Sequence, residues 1–242
     1  MKLWTGKQVV SMLIQQNNYS KMNVNIELEE KSYTKSGGGI MCPNDGYVVF
    51  HNSQLMCGKL GKPTLGSGSK DGLFYSLIKN CSFEVATKCM LRLSKFSSRW
   101  LSNYGMSIGM DDVISDKITE ERHQIFEQGY KECDELIELF ESGKLQLRAG
   151  CNAEESLESE LNGVLSDVRK RAGKLLEKII PKNNSILIMS TCGSKGSSLN
   201  MSQMIACVAQ QTVNGQRIPD GFINRSLPHF EKFSKYPAAK GF

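Results

Sequence analysis

The hexapeptide Cys192-Gly193-Ser194-Lys195-Gly196-Ser197 is the stretch of this 242-residue sequence best suited to holding an anion. Two glycines expose backbone on either side of one lysine, just ahead of a run with helical periodicity. Bared N–H groups and the positive end of a helix attract phosphate. The ammonium of Lys195, on its flexible stem, reaches a triphosphate as a point charge. An exposed loop has the same composition, so the hexapeptide alone is a weak signal. Further on, Gln210 and Gln211 set two amides side by side at the expected end of that helix. Each can donate and accept, which suits a polar ligand or a partner's backbone, and a solvated helix end accounts for them nearly as well.

Other chemistry is thin. Gly66-Ser67-Gly68-Ser69-Lys70 lacks the GxxxxGK[ST] spacing of a phosphate loop and reads as a flexible turn. The three histidines, His51, His123 and His229, are far apart, and no GxSxG occurs. Asp111 and Asp112 have no third carboxylate nearby for a two-metal centre and fit equally as the cap of a turn. The eight cysteines (Cys42, Cys57, Cys81, Cys89, Cys133, Cys151, Cys192 and Cys207) form no CxxC pair and no zinc spacing. Reduced thiols and no bound metal are expected. No apolar run approaches the roughly 20 residues of a membrane span, and the first residues lack the features of a secretion signal, so a soluble, membrane-free protein is expected. The net charge of +5 is all carried by residues 182–242, which hold seven Lys or Arg against two Asp or Glu. Attraction for phosphate should therefore concentrate in the last quarter.

Positioning these residues calls for an α+β fold. Thr5 with Gln8 makes a capping-box start for a short helix, and Val24, Ile26 and Leu28 alternate with polar residues ahead of β-prone runs at 47–50 and 54–57. A small antiparallel β unit is expected there, with a loop at Ser36 to Gly39. Phe83, Ala86, Cys89, Met90, Leu93, Phe96, Trp100 and Leu101 recur at helical spacing and predict a core-facing helix closed by Gly105. Two longer helices follow, about 118–142 and 153–180. The first turns Ile125, Tyr130, Cys133, Ile137 and Phe140 inward, and the second turns Leu157, Leu161, Val164, Val168, Leu175 and Ile179. Gly143 ends the first, Asn152 with Glu155 caps the second, and Pro181 stops it. Their short connection predicts an antiparallel hairpin about 35 Å long. Beyond it come a short apolar segment at 186–189, the glycine loop, a helix over 200–213, and irregular chain after Gly215.

Whole strings are more specific than this chemistry. LWTGKQ at the start, NYGMSIGMDDV around Ser107, CGSKGSSLNMSQMIACVAQQTVNG from Cys192, RIPDGFINRSLPHF from Arg217 and the final PAAKGF resemble, in order, the largest subunit of nuclear DNA-directed RNA polymerases. CGSKGS and SKYPAAKGF bring the resemblance closer to polymerase III than to polymerase II. It implies a partial pore domain over 1–112, of small mixed α/β character, and a funnel domain over 113–242 that contains the hairpin and ends just before the bridge-helix region. Lys195, with Gly193, Ser194 and Gly196 around it, would contact the triphosphate of incoming substrate. Gln210, Gln211 and Arg217 match positions near the bridge helix, in the toxin pocket of sensitive members. The resemblance implies the second-largest and smaller polymerase subunits as partners, together with template DNA, RNA and nucleoside triphosphates. It also implies transcript-cleavage factors at the funnel and a place in the nucleus. The magnesium-binding aspartates would lie before residue 1, and the bridge helix and trigger loop after Phe242. No catalytic residue and no bound magnesium are expected here, and the chain alone should be inactive. The alternative is a truncated, non-catalytic module that binds polymerase subunits or transcription factors. One departure stands out, because Ala209 occupies a place where the family usually has glycine.

Overall fold

A computed structural model describes residues 3–15, 23–34, 42–114 and 116–242. The chain divides into two units. One comprises residues 1–108 together with 185–197, and the other comprises 109–184 together with 198–242.

In the first unit α1 (Gly6–Ile14) starts at the expected capping box, with the Thr5 and Gln8 side chains each accepting from the other residue's N–H. Strands β1 (Ile26–Glu29), β2 (Tyr47–His51) and β3 (Gln54–Cys57) form an antiparallel sheet in sequence order. Asn52 and Ser53, both at positive φ, make the two-residue turn between β2 and β3, the conformation whose twist suits a hairpin. Strand alternation sends Ile26, Val48, Phe50 and Leu55 into a core shared with Ile14, Val24, Leu73, Leu77, Ala86 and Cys89. Helices α2 (Lys62–Leu65), α3 (Leu73–Asn80) and α4 (Phe83–Tyr104) follow. The expected loop at Ser36 to Gly39 lies outside the described residues.

α4 has the predicted bounds but not the predicted burial. Only Ala86 and Cys89 are buried, whereas Phe96, Trp100 and Leu101 are 38–52% exposed and Tyr104 is 71% exposed. The first half packs on α1 and α3. The second half carries the same apolar periodicity past the end of that core, with Trp100 and Tyr104 stacked on each other at 4.6 Å.

The second unit is built on α5 (Asp116–Glu141) and α6 (Ala153–Ile179), the antiparallel hairpin expected from the sequence. Asn152 and Glu155 form the capping box, and Gly143, at φ +69, ends α5 by returning N–H groups of residues 143 and 144 to the carbonyls of Phe140 and Leu139. Cys133, Ile137, Leu157, Leu161 and Leu165 make the buried seam. α6 turns Leu165, Ala172 and Leu176 inward where the sequence placed Val164, Leu175 and Ile179, which are only partly buried. The packed stripe runs 157-161-165-168-172-176, a helical register one position away from the expected one in its second half. At Gly129 a side chain would collide with Val168, so glycine permits the close approach of α5 to α6. Arg171 crosses the pair, with its guanidinium 3.1 Å from the Gln128 carbonyl and 3.8 Å from Glu132.

One expectation after Pro181 is corrected. Residues 186–189 belong to a helix, α7 (Ser185–Cys192), and the helix expected over 200–213 is only α8 (Ser198–Ile205). Thr212–Val213 (β4) and Gln216–Arg217 (β5) pair as a hairpin across Asn214 and Gly215, both at positive φ. The Asn-Gly pair is a strong hairpin signal that the apolar periodicity of residues 201–208 had masked. No described helix is long and apolar enough to cross a membrane.

Candidate functional site

The Cys192–Ser197 turn belongs to the first unit. α7 ends at Cys192, and Gly193 takes the left-handed conformation (φ +77) that terminates helices. Gly193 is buried, so its role is conformational rather than that of open backbone. A Cβ there would come within 3.1 Å of the Lys62 Cβ and 3.4 Å of the Lys31 Cδ and Cε. Ser194 donates from its hydroxyl to the Met189 carbonyl (3.3 Å) and accepts from the Cys192 thiol (3.2 Å), which folds the turn back onto α7. Gly196 repeats the left-handed geometry at φ +78, with open space beside it. Lys195, between the two glycines, is exposed and makes no ion pair with another described residue.

Lys31 and Lys62 were not singled out from the sequence. Both are exposed, their stems flank Gly193, and neither pairs with a described carboxylate. Nothing in their spacing from Lys195, more than 130 residues away, announces this, since the sheet and α2 alone bring them there. One lysine on the turn and two lysine stems packed against its first glycine gather positive charge suited to a polyanion.

Gln210, Gln211 and Arg217 lie in the second unit and are brought together by the C-terminal segment. The two glutamines stand beyond α8 rather than at its end. Ala209, at φ +67 and buried, reverses the chain before them. The family's usual glycine thus faces a left-handed backbone here, and the alanine bears strain that glycine would not. Gln210 donates from Nε2 to the carbonyls of Gln211 and Lys240, both at 2.7 Å, while its own Oε1 has no partner. The Gln211 N–H donates to Gly241 O at 2.9 Å. Arg217 is almost wholly enclosed. Its guanidinium donates to the carbonyls of Lys235 (2.8 Å) and Tyr236 (3.2 Å) and meets Glu158 of α6 at 3.4 Å. Burial draws its pKa below the ordinary value and Glu158 acts in the opposite sense. Arg122 of α5 donates to the carbonyls of Ile205 and Ala206, and Phe242 lies edge-on to Phe126 and Tyr130. This corner is a structural tie between chain end and hairpin.

Among the described residues no group of three or more His, Cys, Asp or Glu side chains is placed to hold a metal ion.

Two family models match most of this chain. Residues 1–113 match the family described as RNA polymerase Rpb1, domain 3, and residues 137–242 match RNA polymerase Rpb1, domain 4. The chain belongs to the family of RNA polymerase largest subunits, and carries these two domains of it. Its similarity is to the polymerase III form: it is 47% identical over 241 residues to DNA-directed RNA polymerase III subunit RPC1 of Homo sapiens, 45% over 244 residues to that of Debaryomyces hansenii, and 44% over 245 residues to that of Saccharomyces cerevisiae. Each alignment covers 99% of this chain and 17% of the relative, so the chain spans about a sixth of their length.

Proposed function

We propose that this chain acts within a DNA-directed RNA polymerase III, where residues 1–112 form part of the pore domain and 113–242 the funnel domain that together line the path of entering nucleoside triphosphates. Lys195, held by Gly193, Ser194 and Gly196 and joined by Lys31 and Lys62, contacts the triphosphate of the incoming substrate. The observation that carries this reading is an exposed, unpaired lysine between two left-handed glycines, with two further lysine stems packed on the first of them. Phosphate oxygens are the acceptors that such a cluster fits. Magnesium and the nucleotidyl-transfer chemistry belong to parts of the complete enzyme outside these residues, and the chain alone has no such activity. Partners in that enzyme are the second-largest and smaller subunits, template DNA and RNA, with transcript-cleavage factors meeting the funnel, in the nucleus. Gln210, Gln211 and Arg217 lie toward the bridge-helix region, where the exposed Gln211 is the amide accessible to a toxin or a neighbouring helix, while the Gln210 carbonyl is buried.

Replacing Lys195 by Ala in an assembled polymerase is expected to raise the half-saturating nucleotide concentration by about 10-fold or more, with little change in the saturated rate, because a charge-assisted contact is worth about 1.5 to 3 kcal/mol. Superimposable saturation curves would remove the assignment.

A second reading, a non-catalytic module that binds polymerase subunits, is favoured by α4, whose Phe96, Trp100 and Tyr104 side chains stand exposed along one helix. Capture of polymerase subunits by the wild-type chain, lost on replacing Trp100 and Tyr104 by Ser, would support it. Capture unaffected by these changes would count against it.

A further inference from the structure

Glu30, the residue just after β1, is a carboxylate only 5% exposed, and nothing in its sequence context marks it out. Its main-chain N–H donates to the Gly46 carbonyl at 2.8 Å, which fixes the strand end. Its Oε1 accepts three hydrogen bonds from a single turn, from the Gly61 N–H at 2.9 Å, the Thr64 N–H at 3.0 Å and the Thr64 hydroxyl. Its Oε2 has no partner and lies against Gly61, where a Cβ would run into it and would come within 3.0 Å of the Cys192 carbonyl. No described cation pairs with this carboxylate. An enclosed carboxylate without a counter-ion is unfavourable unless its hydrogen bonds do something an apolar side chain cannot.

What those bonds order is the base of the lysine cluster. By accepting from Gly61 and Thr64, Glu30 fixes the backbone on both sides of Lys62, while the next residue, Lys31, lies in the turn just beyond β1. These two side chains close on Gly193 from opposite elements, and Gly193 sets the turn that carries Lys195. We infer that Glu30 is a positioning residue for the triphosphate site. It touches no substrate and moves no proton, but holds Lys62 and, through Gly193, Lys195 at fixed places, so that substrate phosphates meet a preorganised set of ammonium groups. This inference rests on the reading of the Lys195 turn as a phosphate contact.

The test is nucleotide addition by assembled polymerase III carrying substitutions in its largest subunit, measured as rate against nucleoside triphosphate concentration. Glu30→Ala is expected to raise the half-saturating concentration by about 5- to 10-fold while the saturated rate stays within about 2-fold. Glu30→Gln, which keeps an accepting oxygen for Gly61 and Thr64, is expected to stay within about 2-fold of wild type in both. Combined with Lys195→Ala, Glu30→Ala should raise the half-saturating concentration by less than the product of the two single shifts, because part of its effect acts through that side chain. If Glu30→Ala fails to assemble, Thr64→Val removes one of the three bonds and is expected to raise the half-saturating concentration by about 2- to 3-fold. The inference is overturned if Lys195→Ala shifts the curve while both Glu30→Ala and Thr64→Val leave it in place. It is overturned equally if these variants lower the saturated rate and heat stability alone, as a purely structural cap would. If Lys195→Ala itself shifts nothing, the phosphate reading fails first, and this inference with it.

Discussion

The turn carrying Lys195 and the corner carrying Gln210 and Arg217 are both conspicuous in the sequence, but their side chains are in opposite states. Lys195 stands exposed and unpaired, whereas the Arg217 guanidinium is enclosed, bonded to two carbonyls and beside Glu158. An unpaired cation on a tight turn is available to a ligand, while an enclosed cation whose two terminal nitrogens are bonded holds the fold together. Basic residues in one quarter of a chain therefore do not share one role. The excess charge of residues 182–242, expected to act as a single attraction for phosphate, is split in the structure between an exposed, unpaired Lys195 and an enclosed Arg217.

The contrast breaks most readily at Arg217. Arg217→Ala removes the donor to two carbonyls and the partner of the one-third-exposed Glu158, and is expected to destabilise the second unit by about 2 kcal/mol, read as a shift of its denaturant midpoint. A loss under about 0.5 kcal/mol would make the corner as dispensable as a surface site. Lys195→Ala should show the reverse pattern, with stability changed by less than about 0.5 kcal/mol while nucleotide affinity falls. Ala209→Gly sharpens the picture of the corner. With φ +67 relieved by glycine, it should stabilise by about 0.5 to 1 kcal/mol despite the lost methyl group, and a net loss would mean that the methyl's packing outweighs the backbone strain. Arg148→Ala, at a half-exposed pair 2.8 Å from Glu160, should cost less than about 1 kcal/mol.

Thiols report the same division by pH. Burial, opposed by Arg217, raises Cys133 to about 11. For Cys42 desolvation is the largest single influence and acts upward, but hydrogen bonds from Thr34, Gly46 and Asn44 together outweigh it, favour the thiolate and bring it down to about 7. Alkylation of Cys42 should therefore rise through a midpoint near pH 7, and native Cys133 should stay unmodified to pH 9. A midpoint near pH 9 for Cys42 would show that those hydrogen bonds do not persist in solution.

The hairpin was legible because its signals agree: a capping box at Asn152, a stop at Gly143, a proline at 181, and a stripe whose partner lies in the same short stretch of chain. α4 has equally good periodicity, yet its second half faces no core, because an apolar stripe says that a helix has a partner without saying that the partner is nearby in sequence. α8 was read too long for a related reason. Residues beyond 205 keep apolar character, but Ala209 turns the chain and the pairing across Asn214-Gly215, together with the bond from Gln211 to Gly241, claims them. Within the candidate site, Lys195 and its glycines could be read locally. Lys31, Lys62 and Glu30 could not, since only the three-way meeting of β1, α2 and the turn after α7 gives them a common place.

The most direct test of the account is to map where a nucleoside triphosphate bearing a photoreactive group on its γ-phosphate attaches to assembled polymerase III. Labelling of the peptide containing Cys192–Ser197, competed by unmodified nucleotide and lost in Lys195→Ala, is the predicted result. Competed labelling confined to other peptides, unchanged by Lys195→Ala, would contradict it.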